Sequence, residues 1–107
     1  MRPNVCAQPR PPDATLPLAG NRMRVAEPEF AFRMGANLAP RVASYSPIDV
    51  MAAVASMHPA FELPDSRFAE FTAAGEAQLI ADDACCGLFI FGAAAPERWR
   101  DLDLSVH

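Results

Sequence analysis

Apolar and polar side chains alternate along residues 24–34. Ala26, Pro28, Phe30, Phe32 and Met34 fall on one side, and Val25, Glu27, Glu29, Ala31 and Arg33 on the other. A period of two matches the pleat of a strand, so this segment is predicted as a strand with one apolar and one polar face. Pro28 has no N–H to give to a ladder, which predicts an open edge or a bulge there, and Gly35 ends the run. Residues 46–58 predict a helix, with Ser46 as N-cap, Pro47 at the first helical position and Asp49 as the capping-box acid. Ile48, Met51, Ala52 and Ala55 would share its inner face, with Val54 beside them, and Pro59 would stop it. Ala60–Leu63 then reads as a short strand, with Phe61 and Leu63 on one face and Glu62 on the other. Residues 76–84 predict a short helix, and the unbroken apolar run Gly87–Phe91 a buried strand. Alternation resumes at Leu102–Val106 and is still running at His107, the pattern of a strand cut short. Residues 1–18 carry five of the eleven prolines and predict an irregular lead-in. The expected division is therefore a Pro-rich lead-in over 1–18 and a partial domain over 19–107.

Composition narrows the classes. A chain of 107 residues with 51% apolar and 21% charged residues is a folding sequence of one small domain, and a marginal one on its own. A net charge of −4 and the lack of a basic patch exclude nucleic acid as an expected partner. All nine basic residues are arginine, so Schiff-base and lysine-base chemistry are absent from this chain. The three cysteines, Cys6, Cys85 and Cys86, show no Cys-x-x-Cys spacing. A disulfide framework or zinc site is not expected, and a reducing cytoplasm fits best. No apolar segment approaches the ~20 residues of a membrane span, and the first residues lack the apolar stretch of a signal peptide, so no membrane association is expected.

Glu27 and Glu29 are the pair with chemical content. Two residues apart on a strand, they share a face at about 6.5 Å between Cα atoms. Two carboxylates at that spacing repel unless a positive charge lies between them. Spacing alone leaves two readings open, a solvated strand face or a cation site. Glu62 is the other acid on a predicted strand whose neighbours both face a core, and the pattern by itself does not bring it to the pair.

A resemblance connects them. The run Arg22-Met-Arg-Val-Ala-Glu-Pro-Glu-Phe-Ala-Phe-Arg-Met-Gly35 is similar to the Glu-x-Glu segment of the 2-keto-4-pentenoate hydratase group of the fumarylacetoacetate hydrolase superfamily. Met57-His-Pro-Ala-Phe-Glu-Leu-Pro-Asp-Ser-Arg67 resembles that group's next block, and Leu79-Ile-Ala-Asp-Asp-Ala-Cys-Cys-Gly-Leu-Phe-Ile-Phe-Gly92 the third. The resemblance covers roughly residues 16–107. It implies an α+β fold, mostly β, a partial fumarylacetoacetate-hydrolase-like β-rich domain with short helices. It also implies that Glu27, Glu29 and Glu62 bind one Mg²⁺ or Mn²⁺, the ion polarising the carbonyl of a 2-oxo acid. The implied reaction is that of a hydro-lyase, adding water to a 2-hydroxydienoate to give a 4-hydroxy-2-oxo acid. Decarboxylation of a 2-oxo acid or hydrolysis of an acylpyruvate shares the same metal logic. Two departures stand out: Asp83 occupies the place where the group carries Asn in Ala-Asp-Asn-Ala, and the group's active-site lysine has no counterpart. A truncated or degenerate member without turnover is the non-enzymatic alternative. Open strand edges left by missing chain would favour self-association.

Other residues carry less. Asp65 and Arg67 form a local ion pair or line the site together with Asp83. His58 is expected to cap the helix end, and His107 is terminal. Cys85 and Cys86 are expected to pack as small hydrophobes. Trp99 is expected to anchor the last segment, and Phe30, Phe32, Phe89 and Phe91 to form core.

Overall fold

The computed structural model describes residues 10–105. Its centre is an antiparallel sheet of three strands in the order β1-β2-β3, with β1 at Glu27–Met34, β2 at Val54–Leu63 and β3 at Leu88–Phe91. Two short helices, α1 (Pro47–Ala53) and α2 (Glu76–Ala81), and three 3-10 turns complete an α+β fold. Helical turns and strands take similar shares of the described chain, so the expectation of a mostly β fold is too strong.

The alternation at residues 24–34 produces β1 as expected. Its register runs from Glu27 opposite Glu62 to Arg33 opposite Ser56, with a shift between Arg33 and Met34. Helix α1 starts as predicted: Ser46 Oγ accepts from Asp49 N at 3.2 Å, and Asp49 Oδ2 accepts from Ser46 N at 3.0 Å. It does not run to residue 58. It ends at Ala53, and Val54–His58 enter β2 to pair with β1. Seven residues of helix hold little stability of their own, and pairing with β1 satisfies the backbone instead. The expected inner face dissolves with it, since Ile48 is 81% exposed.

Pro59 thus lies inside the central strand, a position proline normally avoids. Gly92 N donates to Pro59 O at 2.9 Å, so Pro59 turns its backbone toward the β3 side. The β2–β3 pairing ends at Ala60 opposite Phe91. The missing donor therefore falls just past the ladder, where no strand needs it. By alternation, the even-numbered residues of β2 bond to β1, and Pro28, opposite Phe61, turns its backbone to the open edge. The edge position expected for Pro28 is the one it occupies.

On the far side of β3, Arg10 adds a parallel bridge: its N–H donates to Phe89 O at 2.8 Å, and its carbonyl accepts from Phe91 N at 3.1 Å. Gly87 and Gly92 bracket β3 because backbone approaches too closely for a side chain. A Cβ on Gly87 would lie 2.1 Å from Leu63 O, and one on Gly92 2.4 Å from Pro59 O.

The buried cluster is Val54, Met57 and Trp99, with Met51, Ala95 and Leu104 packed against it. Trp99 anchors the last segment as expected, and the 3-10 turn Glu97–Asp101 carries it. The four phenylalanines do not form one core. Phe30 and Phe32 project from the β2 face that carries Met57 and Phe61, whereas Phe89 and Phe91 lie on the opposite face with Ala60 and Glu62. Phe30 and Phe32 remain 50% and 45% exposed. Phe61, beside Glu62, is also half exposed and does not face a core. Residues 102–105 form a bend and a turn, not the expected strand; Val106 and His107 lie outside the described residues. Cys85 is a buried free thiol, and Cys86 is also buried but disulfide-bonded, so it does not pack simply as the small hydrophobe expected. No helix among the described residues is long and apolar enough to cross a membrane.

Candidate functional site

The β1–β2 register supplies what spacing could not. Glu27 stands opposite Glu62, and Glu29, two residues on, shares their face. Carboxylate oxygens from all three lie within 4.8 Å of one another. Like charges directly opposed across a ladder are destabilising, and among the described residues none of the three carboxylates accepts a hydrogen bond or joins an ion pair. Glu27 and Glu29 are exposed and Glu62 is half-buried, so one side of the cluster faces solvent. Three hard oxygen donors with room for water match the preferences of Mg²⁺ or Mn²⁺ better than those of softer ions.

The second group of candidates lines a cleft of about 540 Å³ walled by residues 17–22, 63–67 and 83–88. Asp65, Arg67 and Asp83 all border it, while the three glutamates do not; Leu63, next to Glu62, is the nearest link in sequence. The lead-in wall is tied down by Asn21 Nδ2 donating to Pro64 O at 3.0 Å and Arg22 donating to Ser66 O at 3.1 Å. Of the two alternatives for Asp65 and Arg67, a local ion pair or lining the site, the ion pair does not form. Asp65 Oδ1 accepts from Arg22 N at 2.8 Å, and the Arg67 guanidinium lies 3.0 Å from Asp82 Oδ1.

Asp82 is the residue that sequence reading missed. It is 2% exposed, accepts from Ser66 Oγ at 2.6 Å and receives the backbone N–H of Arg67 at 3.2 Å. Arg67 also donates to Asp82 O at 2.7 Å and Cys86 O at 3.3 Å. The Ser66 hydroxyl holds the Asp82 carboxyl below the usual aspartate range, with Arg67 adding to the effect and burial opposing it. The signal lay in the Asp82-Asp83 pair and in Ser66 beside Arg67, but nothing in the sequence says which acid turns inward.

Asp83, Ala84 and Cys85 adopt left-handed backbone, with φ of 55°, 53° and 62°. Each costs an L-residue about 1–2 kcal/mol, and Asn is among the residues that tolerate the conformation best. Asp83→Asn is expected to leave stability unchanged or raise it slightly, and Asp83→Gly to raise it by about 0.5 kcal/mol. Urea midpoints check this, and a clear loss in both variants would mean that the Asp83 carboxylate holds the turn.

His58 does not cap a helix. It is buried within β2, stacked 4.2 Å from the Phe91 ring. Its Nδ1 faces only the Gly92 carbonyl, at 2.9 Å, so Nδ1 carries the proton and donates. Nε2 lies 2.8 Å from Ser56 Oγ. The pair pins the end of β3 to β2.

Comparison with protein-family models, with curated proteins and with solved structures returns no match for this chain.

Proposed function

We propose that Glu27, Glu29 and Glu62 bind one divalent cation, Mg²⁺ or Mn²⁺, and that the chain carries the metal-binding portion of a hydro-lyase of the 2-keto-4-pentenoate hydratase type. The observation that carries this reading is the convergence of three unpartnered carboxylates from two strands within 4.8 Å. Residue types support it as well, since the acids stand in the places that the resemblance to the hydratase group assigns to metal ligands. A bound cation would supply Lewis-acid polarisation of the carbonyl of a 2-oxo acid. The chain's own contribution is to hold three oxygens on adjacent strands, which are stiffer supports than loops. Asp65 and Asp83 border the cleft that Leu63, next to Glu62, also lines, and are groups on this chain suited to moving a proton when water adds to a 2-hydroxydienoate. Arg67 is committed to Asp82 and serves to shape the cleft wall.

A second reading has one observation in its favour: the chain holds no lysine. If turnover in the hydratase group depends on that residue, this polypeptide binds a cation without completing the reaction. Decarboxylation or acylpyruvate hydrolysis would use the same three ligands.

Calorimetric titration with Mg²⁺ and with Mn²⁺ tests the proposal. Saturable binding of one cation per chain is expected, and Glu29→Gln should weaken it by about 100-fold or more. No binding by protein that circular dichroism shows to be folded would sink the cation site and the activity with it. Loss of dienoate absorbance in the loaded protein then separates the hydratase from the inactive reading.

A further inference from the structure

Among the described residues only β2 pairs with β1, and the backbone groups of Pro28, Phe30 and Phe32 face the other side. Such an edge is a template for another strand. The apolar face above it is also uncovered, with Phe30, Phe32, Met34 and Phe61 between 44% and 50% exposed. On the polar face Arg33 is exposed and, among the described residues, has no ion pair. It shares that face with the equally unpaired Glu27 and Glu29.

We propose that β1 pairs antiparallel, edge to edge, with β1 of a second copy of this chain, forming a continuous sheet across a two-fold axis. An isologous contact must be self-complementary, and β1 meets that demand in both available registers. Antiparallel partners share a face, so the apolar faces merge only if the axis passes through a residue. With the axis through Phe30, Glu27 stands opposite the second copy's Arg33, and Phe30 meets its own counterpart. With the axis through Ala31, Glu29 stands opposite Arg33, and Phe30 meets Phe32. Each register pairs an acid with an arginine twice and juxtaposes aromatic side chains, which are favourable cross-strand pairs. Pro28 removes one donor from the edge, leaving Phe30 and Phe32 to donate.

The inference does not rest on the cation site, and the test is made in metal-free buffer so that the two stand or fall separately. Sedimentation equilibrium of the full chain is expected to show a reversible dimer. Arg33→Glu should raise its dissociation constant about tenfold or more, because it sets like charges opposite each other. The triple variant Glu27→Arg, Glu29→Arg, Arg33→Glu should restore it. Hydrogen exchange on the unaltered chain gives an independent readout: the Phe30 and Phe32 amides should gain protection as concentration rises. A monomer at every concentration, a dimer indifferent to Arg33→Glu, or a dimer in which those two amides exchange freely would each overturn the proposal. Should Arg33→Glu not fold, the amide readout decides.

Discussion

Trp99→Ala is expected to remove a large part of the protein's stability at room temperature. Removing a buried tryptophan costs about 3–5 kcal/mol, and a chain of 107 residues holds about 5–15 kcal/mol in total, toward the lower end for its size. The cluster that Trp99 joins has only Val54 and Met57 as its other buried members, so nothing large remains to close the hole. The indole also packs 5.7 Å from the Phe32 ring and lies under the Arg100 guanidinium at 4.5 Å. Arg100 in turn donates to Met51 O and Val54 O, at 3.2 and 2.8 Å, so losing the ring loosens the joint between α1 and β2 as well. Trp99→Phe separates volume from polarity. Trp99 Nε1 is buried with no acceptor among the described residues, and an unmet donor of that kind costs about 1–3 kcal/mol. Phenylalanine lacks that donor, so it should retain far more stability than its lost volume predicts. Far-ultraviolet circular dichroism through a urea series measures both. A Trp99→Ala midpoint close to that of the unaltered chain would show that the last segment is not part of the core.

The same segment shows where sequence pattern reaches its limit. The anchoring role of Trp99 was legible because a large aromatic rarely stays free, but the alternation predicted from Leu102 onward makes no strand over residues 102–105, which pair with no strand among the described residues. β1 was legible down to the outward turn of Pro28, since its pattern is long and period two has few competitors. The end of α1 was not. Residues 54–58 carry a pattern compatible with either helix or strand, and the choice falls to pairing with β1, a contact more than twenty residues away. For the candidate site, Glu27 and Glu29 were visible as a pair from spacing alone. Glu62 depended on register, which the hydrophobic pattern of a four-residue strand does not specify; the resemblance supplied the residue and the ladder supplied its position. Phe30 and Phe32 were assigned to core on hydrophobicity, which describes what a side chain prefers and not whether anything arrives to cover it.

Asp82 was hidden for a related reason, and its loss should be the other large effect. Asp82→Ala is expected to lower the thermal midpoint by about 10 °C or more, because it strands several donors at once. Ser66 Oγ, itself 1% exposed, and the Arg67 backbone N–H lose their acceptor, while the exposed Arg67 guanidinium loses one of its bonds and keeps those to Asp82 O and Cys86 O. Asp82→Asn keeps the shape but places an NH₂ group against donors, so an intermediate loss is expected. Acid separates charge from shape. The Asp82 pKa is depressed in the folded protein, first by the Ser66 hydroxyl and then by Arg67, against the opposing effect of burial. Its stabilisation is therefore complete above the ordinary aspartate value of about 3.9 and is lost as pH falls through the lower folded value. Asp49, lowered chiefly by Arg41, and Asp103, lowered chiefly by Ser105, slope in the same direction. The informative quantity is thus the gap between the unaltered chain and Asp82→Asn, which should shrink steadily below about pH 4. Added salt should narrow that gap only slightly: the Arg67 side chain is 63% exposed and screened, but the Ser66 hydroxyl is not. A gap that holds constant from neutral pH to pH 2 would mean that Asp82 acts by shape alone and that its charge contributes nothing to the cleft wall.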